Sequence, residues 1–139
     1  MLYKKYFFCL LAFSPLLFSA TCDKQAPRQS CDGVICTMEF AMVTVAVKDQ
    51  NGNTVPLDST ITRNKSGLMV SNSNQSSPAG DGRYVVADDS YQKALALRSE
   101  EVIFTGYKSG QKVIEQNFII SADCCHISKV SGPDILTIK

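Results

Sequence analysis

The chain has 139 residues, with 14 basic and 13 acidic side chains, one histidine, six cysteines and no tryptophan. That near-neutral balance argues against a nucleic-acid partner, because phosphate binding wants a concentrated basic surface, and it offers no polybasic patch for anionic lipid. The length suits one domain of ordinary size.

The first twenty residues speak to compartment. Lys4 and Lys5 precede an apolar run, YFFCLLAFSPLLFSA, from Tyr6 to Ala20. A short basic segment, an apolar stretch and then small residues is the pattern of a secretory signal peptide. A membrane span needs roughly 20 apolar residues, so the run is too short, and Pro15 interrupts it. A buried helix at the start of a cytosolic domain is the alternative, but the run has no helix-period pattern.

The segment closes with LLFSATCDKQ. A cysteine just after small residues at the end of an apolar run resembles the lipobox of bacterial lipoproteins. Ser19 stands where that family prefers Leu, and Thr21 where it prefers Gly, Ala or Ser. The resemblance implies removal of residues 1–21 and a diacylglycerol-modified Cys22 at the new N-terminus, in the bacterial cell envelope. Each buried methylene of such an anchor contributes about 0.8 kcal/mol, so several chains hold a protein firmly to a membrane. Ordinary cleavage after Ala20 competes, but it leaves bulky Phe18 where a small residue is wanted. Loss of residues 1–21 removes two of the 14 basic residues and no acid, leaving 12 against 13 and a net charge of −1.

Residues 23–35, DKQAPRQSCDGVI, are polar and read as a tether, so 22–35 is a lipidated linker and the domain is expected over 36–139. FAMVTVAVKDQNGNTVPLD then alternates, with Ala41, Val43, Val45 and Val47 on one side and Met42, Thr44, Ala46 and Lys48 on the other. Alternation with β-branched residues, closed by DQNGN, predicts a strand and a turn. Further strands are expected at 59–64, 83–88, 101–107, 112–120, 125–130 and 134–138. The Ser/Asn/Gly-rich stretch 71–82 is expected to be an exposed loop, and 90–98 one or two helical turns or another strand. Short strands spaced by turns, with neither internal repeat nor heptad, predict an all-β antiparallel sandwich.

VTVAVKDQNGNTVPLDSTITR resembles the opening of transthyretin-like and carboxypeptidase-regulatory-like domains: a hydrophobic strand, a D-x-x-G-x-x-V turn and a second strand. DGRYVVADD resembles that family's later G-x-Y strand, and VIFTGYKSGQKVIEQNFI its closing pair. The resemblance spans about residues 36–139 and implies an Ig-like sandwich of about seven strands, with Tyr84 packed at the edge of the core. Such domains are usually noncatalytic modules for folding support, adhesion or ligand contact.

The sharpest local feature is SADCCHIS, which sets Cys124 and Cys125 beside His126. With Cys9 in the signal and Cys22 lipidated, Cys31, Cys36, Cys124 and Cys125 remain, an even number in an exported chain. Two disulfides are the default there. Adjacent α-carbons sit about 3.8 Å apart, below the disulfide range, so a Cys124–Cys125 bond is disfavoured and both remaining arrangements tie CDGVIC to CC. Either bond closes a loop of roughly 90 residues, which chain entropy values at about 4–5 kcal/mol. Strand alternation across 124–125 predicts one bond buried and the other at the surface.

Two rival chemistries use the same residues. Cys31, Cys36, Cys124, Cys125 and His126 include enough donors for tetrahedral zinc, although C-x4-C is wider than the usual C-x2-C knuckle. A thiol nucleophile with His126 as base needs both on one sheet face, which Cys124 and His126 satisfy, but no acid is evident to orient the ring. The GDG stretch with Asp88 and Asp89 invites calcium, yet acids are sparse and no EF-hand pattern occurs. No P-loop, G-x-S-x-G elbow or zinc-protease motif is present. The expectation is therefore a noncatalytic envelope lipoprotein without a cofactor. Its partners are the membrane, through Cys22, and an envelope protein or a peptide strand added to a sheet edge. The alternative is a metal- or thiol-dependent protein built on Cys124, Cys125 and His126.

Overall fold

The structure, a computed structural model, describes residues 30–73, 82–95 and 97–138. The expected signal, Cys22 and most of the tether lie outside the described residues, as do 74–81 within the expected 71–82 loop. The chain forms β1 (Met42–Lys48), β2 (Ser59–Asn64), β3 (Met69–Ser73), β4 (Arg83–Asp88), β5 (Ser99–Lys108), β6 (Gln111–Ala122), β7 (Ile127–Ser131) and β8 (Ile135–Thr137). One 3-10 turn, Asp89–Tyr91, and one helical turn, α1 (Gln92–Leu95), link β4 to β5. The fold is the expected all-β sandwich: a three-stranded sheet ordered β4-β1-β8 over a five-stranded sheet ordered β3-β2-β5-β6-β7.

The core follows from the alternation. Val43, Val45 and Val47 of β1 point inward with Tyr84 and Val86 of β4, and meet Val102, Phe104, Phe118 and Ile120 of β5 and β6. Phe104 and Phe118 pack edge to face with ring centroids 6.3 Å apart, an arrangement that adds to plain area burial. Tyr84 is fully buried rather than at the core's edge. Its hydroxyl accepts from Leu57 N at 2.7 Å and donates to Val55 O at 3.2 Å, tying the β1–β2 connection to β4.

Three elements differ from expectation, each for a physical reason. The strand β3 overlaps the expected loop: its Ser71, Asn72 and Ser73 carry no strand signal of their own. Pairing with β2 and the turn before it impose the strand, Asn64 Oδ1 accepting from Ser66 N and Leu68 N. Residues 123–126 form a turn, so β7 begins at Ile127 rather than Cys125. Here Asp123 Oδ1 accepts from both Cys125 N and His126 N at 2.7 Å, an aspartate-capped turn that competes with strand extension.

Third, the expected antiparallel arrangement is broken once, because β8 pairs with β1 in parallel, Ala46 opposite Ile135. Only residues 132–134 separate β7 from β8. At this short link the chain leaves the five-stranded sheet for the three-stranded one instead of closing a hairpin. Gly132 makes the step at φ 129°, where an added Cβ would lie 2.2 Å from the Phe118 ring.

Tyr84→Phe keeps the ring and strands the Leu57 amide, so unfolding free energy should fall by about 1–3 kcal/mol with the fold retained. Urea titration followed by far-ultraviolet circular dichroism measures it, and an unchanged midpoint would remove the hydroxyl from the account.

Candidate functional site

The two cysteine clusters meet at the end of the sandwich where β1 and β7 begin and β4 and β6 finish. Cys31 bonds Cys124 and Cys36 bonds Cys125, with Cα–Cα distances of 5.4 and 5.3 Å. Of the two arrangements open from sequence, the structure takes the one in which both segments run in matching order. The expected split between a buried and a surface bond does not occur. Cys124 and Cys125 lie in the 123–126 turn rather than on a strand, and both are half-buried against exposed partners.

The two bonds differ little in loop length, 93 and 89 residues of sequence separation. Their contributions are nonetheless far from equal in sequence of formation. Whichever forms first closes about ninety residues. The other then closes a ring of only eight, residues 31–36 plus 124–125. Chain entropy assigns about 4–5 kcal/mol to the first and about 2–3 kcal/mol to the second.

His126 sits at the centre of this end. Its Nδ1 donates to Asp89 Oδ2 at 2.8 Å, and its Nε2 lies 3.1 Å from Thr37 Oγ1. Asp89 Oδ2 also accepts from Ala41 N at 2.7 Å, and Oδ1 from Ile127 N at 2.9 Å. Asp89 N returns a hydrogen bond to Ala41 O at 3.1 Å. One aspartate thus joins the N-terminal arm, the cysteine turn and the start of β7. Its neighbour Asp88 caps the 3-10 turn by accepting from Ser90 N. The sequence reading found no acid to orient the imidazole; Asp89 does so, from 37 residues away. The Asp88-Asp89 pair was visible, but nothing local tied it to His126.

Charge settles into this arrangement. Partial burial opposes ionisation of Asp89, and the amides of Ala41 and Ile127 together with His126 outweigh it, so its pKa falls below the ordinary 3.8. The His126 pKa rises above 6.5, chiefly through its hydrogen bond to Asp89, with burial opposing and Asp89, Asp123 and Glu39 adding attraction.

The order Thr37 hydroxyl, imidazole, carboxylate is the order that activates a hydroxyl nucleophile. Acyl transfer also needs donors for a developing oxyanion. Four amides bordering the ring are engaged by carboxylates: Ala41 and Ile127 on Asp89, and Cys125 and His126 on Asp123. The four sulfurs are disulfide-bonded and both His126 nitrogens have protein partners, which engages the donors of the metal and thiol alternatives. Among the described residues no group of three or more His, Cys, Asp and Glu is arranged to hold a metal. Asp89 turns both its oxygens, and Asp88 its Oδ1, to protein N–H groups, the opposite of a calcium cage.

A second concave region, about 330 Å³, lies over α1 and is lined by Asn64, Leu68, Tyr91, Leu95, Arg98 and Glu100 among others. Its polar groups satisfy one another: Tyr91 donates to Glu100 Oε2 at 2.6 Å, and Asn64 Nδ2 donates to Tyr91 and to Glu100 Oε1 at 3.1 Å. Burial and then Glu100 push the Tyr91 hydroxyl up. No spacing in the sequence brought these three residues together. Compared with protein-family models, curated proteins and solved structures, the chain shows no significant match to any.

Two outcomes follow from this geometry. Paired Cys→Ser removal of either disulfide should lower stability by about 2–3 kcal/mol, and removal of the remaining one by a further 4–5 kcal/mol or so, whichever goes first. Denaturant unfolding of the three variants reads this, and additive equal losses would contradict the eight-residue ring. The pH dependence has two signs. Asp89, with its pKa lowered, stabilises above 3.8 and loses that contribution as pH falls through its folded value. His126, with its pKa raised, stabilises below 6.5 and loses that contribution as pH rises through its folded value. The difference in melting temperature between wild type and His126→Ala should therefore peak between those two limits and shrink on both sides; a flat difference would deny the ion pair a role.

Proposed function

We propose that the protein is a noncatalytic lipoprotein of the bacterial cell envelope: Cys22 carries the lipid, a short tether follows, and a disulfide-stapled β-sandwich presents contacts to another envelope protein or peptide. The observation that carries this reading is the pair of disulfides, Cys31–Cys124 and Cys36–Cys125, because such bonds persist in oxidising compartments outside the cytosol. They begin nine residues after Cys22. They secure the end of the domain nearest the anchor, where a tethered module takes any pull along its chain.

The noncatalytic part is supported by the amides of Ala41, Ile127, Cys125 and His126, which hold the carboxylates of Asp89 and Asp123 in place. The transthyretin-like resemblance fits the two-sheet layering, while the full burial of Tyr84 and the parallel β1–β8 pairing depart from what it implies. Strand addition is restricted by length: the outer strands β3, β4, β7 and β8 have five, six, five and three residues, and short edges accept little added strand.

Metabolic labelling with palmitate in a bacterial host should mark the wild-type chain and leave Cys22→Ser unmarked. Label that persists in Cys22→Ser sinks the anchor.

A further inference from the structure

The stapled arm carries more exposed apolar surface than any other described stretch. Between Cys31 and β1, Ile35 and Met38 are essentially fully exposed, at 95% and 104%, with Phe40 at 59%, Met42 at 57% and Val34 at 49%. Such side chains would ordinarily fold back onto the sandwich, since each buried Ile, Met or Phe is worth about 1.5–3 kcal/mol. The arm is prevented from doing so. Disulfides hold it at Cys31 and Cys36, Thr37 lies against His126, and Ala41 is hydrogen-bonded to Asp89 in both directions. Val34, Ile35, Met38 and Phe40 are therefore presented outward by construction. Contiguous exposed apolar surface of this kind marks a membrane or protein contact.

We infer that this arm is a membrane-contact loop, in which Ile35, Met38 and Phe40 seat in the headgroup–acyl boundary of the bilayer that holds the anchor. The inference rests on the anchored reading above. Nine residues from Cys22 to Cys31 reach at most about 30 Å even when fully extended, so an anchored domain keeps this end close to the lipid surface. Residues 30–41 form no strand or helix, so unpaired backbone groups confine the loop to the interface, where water and headgroups satisfy them, and exclude deeper insertion. The stretch from Ser30 to Met42 contains Asp32 and Glu39 but neither lysine nor arginine. Contact is accordingly apolar and independent of anionic lipid. Its effect is to fix the domain's orientation, turning the opposite end, with the β5–β6 turn at 109–110, away from the membrane.

The absence of native tryptophan makes the test direct. Full-length Met38→Trp and Lys108→Trp, the latter at the far end of β5, are reconstituted into phosphatidylcholine vesicles with brominated acyl chains. Flotation and palmitate labelling are scored on the same samples. The Met38→Trp indole should emit at shorter wavelength and be quenched roughly fivefold more than the Lys108→Trp indole, unchanged by added salt or by phosphatidylglycerol. A chain that floats with the vesicles while its Met38→Trp indole stays water-exposed overturns the loop contact and leaves the anchor standing. An indole shifted to short wavelength but unquenched overturns it in favour of a second copy or another protein covering the loop. Loss of palmitate label defeats the anchored reading, and quenching that persists in such a chain supports the loop's own affinity for lipid.

Discussion

The end of this sandwich depends on a double covalent staple between a six-residue segment and a two-residue one. Adjacent cysteines cannot readily bond each other, so each must find a partner elsewhere. Cys31 and Cys36 lie close enough in the chain to serve both. The result is a ring of eight residues that leaves the arm little freedom relative to the turn. One bond would close the long loop; the second removes the remaining rotation. A single disulfide would let the arm swing about its S–S axis, whereas two fix both its position and its direction of entry into β1.

Asp89 completes what the sulfurs begin. The staple holds residues 31–36, and β1 holds residues from Met42 onward. The few residues between them are governed by one carboxylate that accepts from Ala41, His126 and Ile127. A carboxylate bearing several N–H donors stays ionised, and the imidazolium it favours remains beside it. The line of hydroxyl, imidazole and carboxylate also clasps the arm to the cysteine turn. The amides of Ala41, Ile127, Cys125 and His126 hold the carboxylates of Asp89 and Asp123 in place.

A rigid arm with outward apolar side chains links stability to function. Flexible apolar loops lose entropy when they bind, and a preordered one loses much less. The same bonds that stiffen the domain thus prepare the arm for contact. They also leave the core to the sheets: the buried cluster holds Val45, Val47, Tyr84, Phe104 and Phe118 and no residue of 31–40.

Several features were decided locally and were legible in the residues. The alternation of Val43, Val45 and Val47 places β1, and the KSGQ turn separates β5 from β6, because period-two burial and turn chemistry act over a few residues. The even cysteine count and the reach of a disulfide reduce three pairings to two. Other features needed the folded chain. Ser71 to Ser73 become a strand only because β2 lies beside them, and β8 comes to pair parallel with β1 only because the chain crosses between the sheets at residues 132–134. The choice between the two disulfide arrangements, the meeting of Asp89 with His126 and the outward display of Ile35 and Met38 all depend on packing between segments tens of residues apart. The sequence by itself determined most of the strands, β1 and the β5–β6 pair among them, and the inward side of β1. Tertiary structure alone decided which distant groups touch, because those contacts are set by how two sheets and a stapled arm share one end, and no local spacing encodes that.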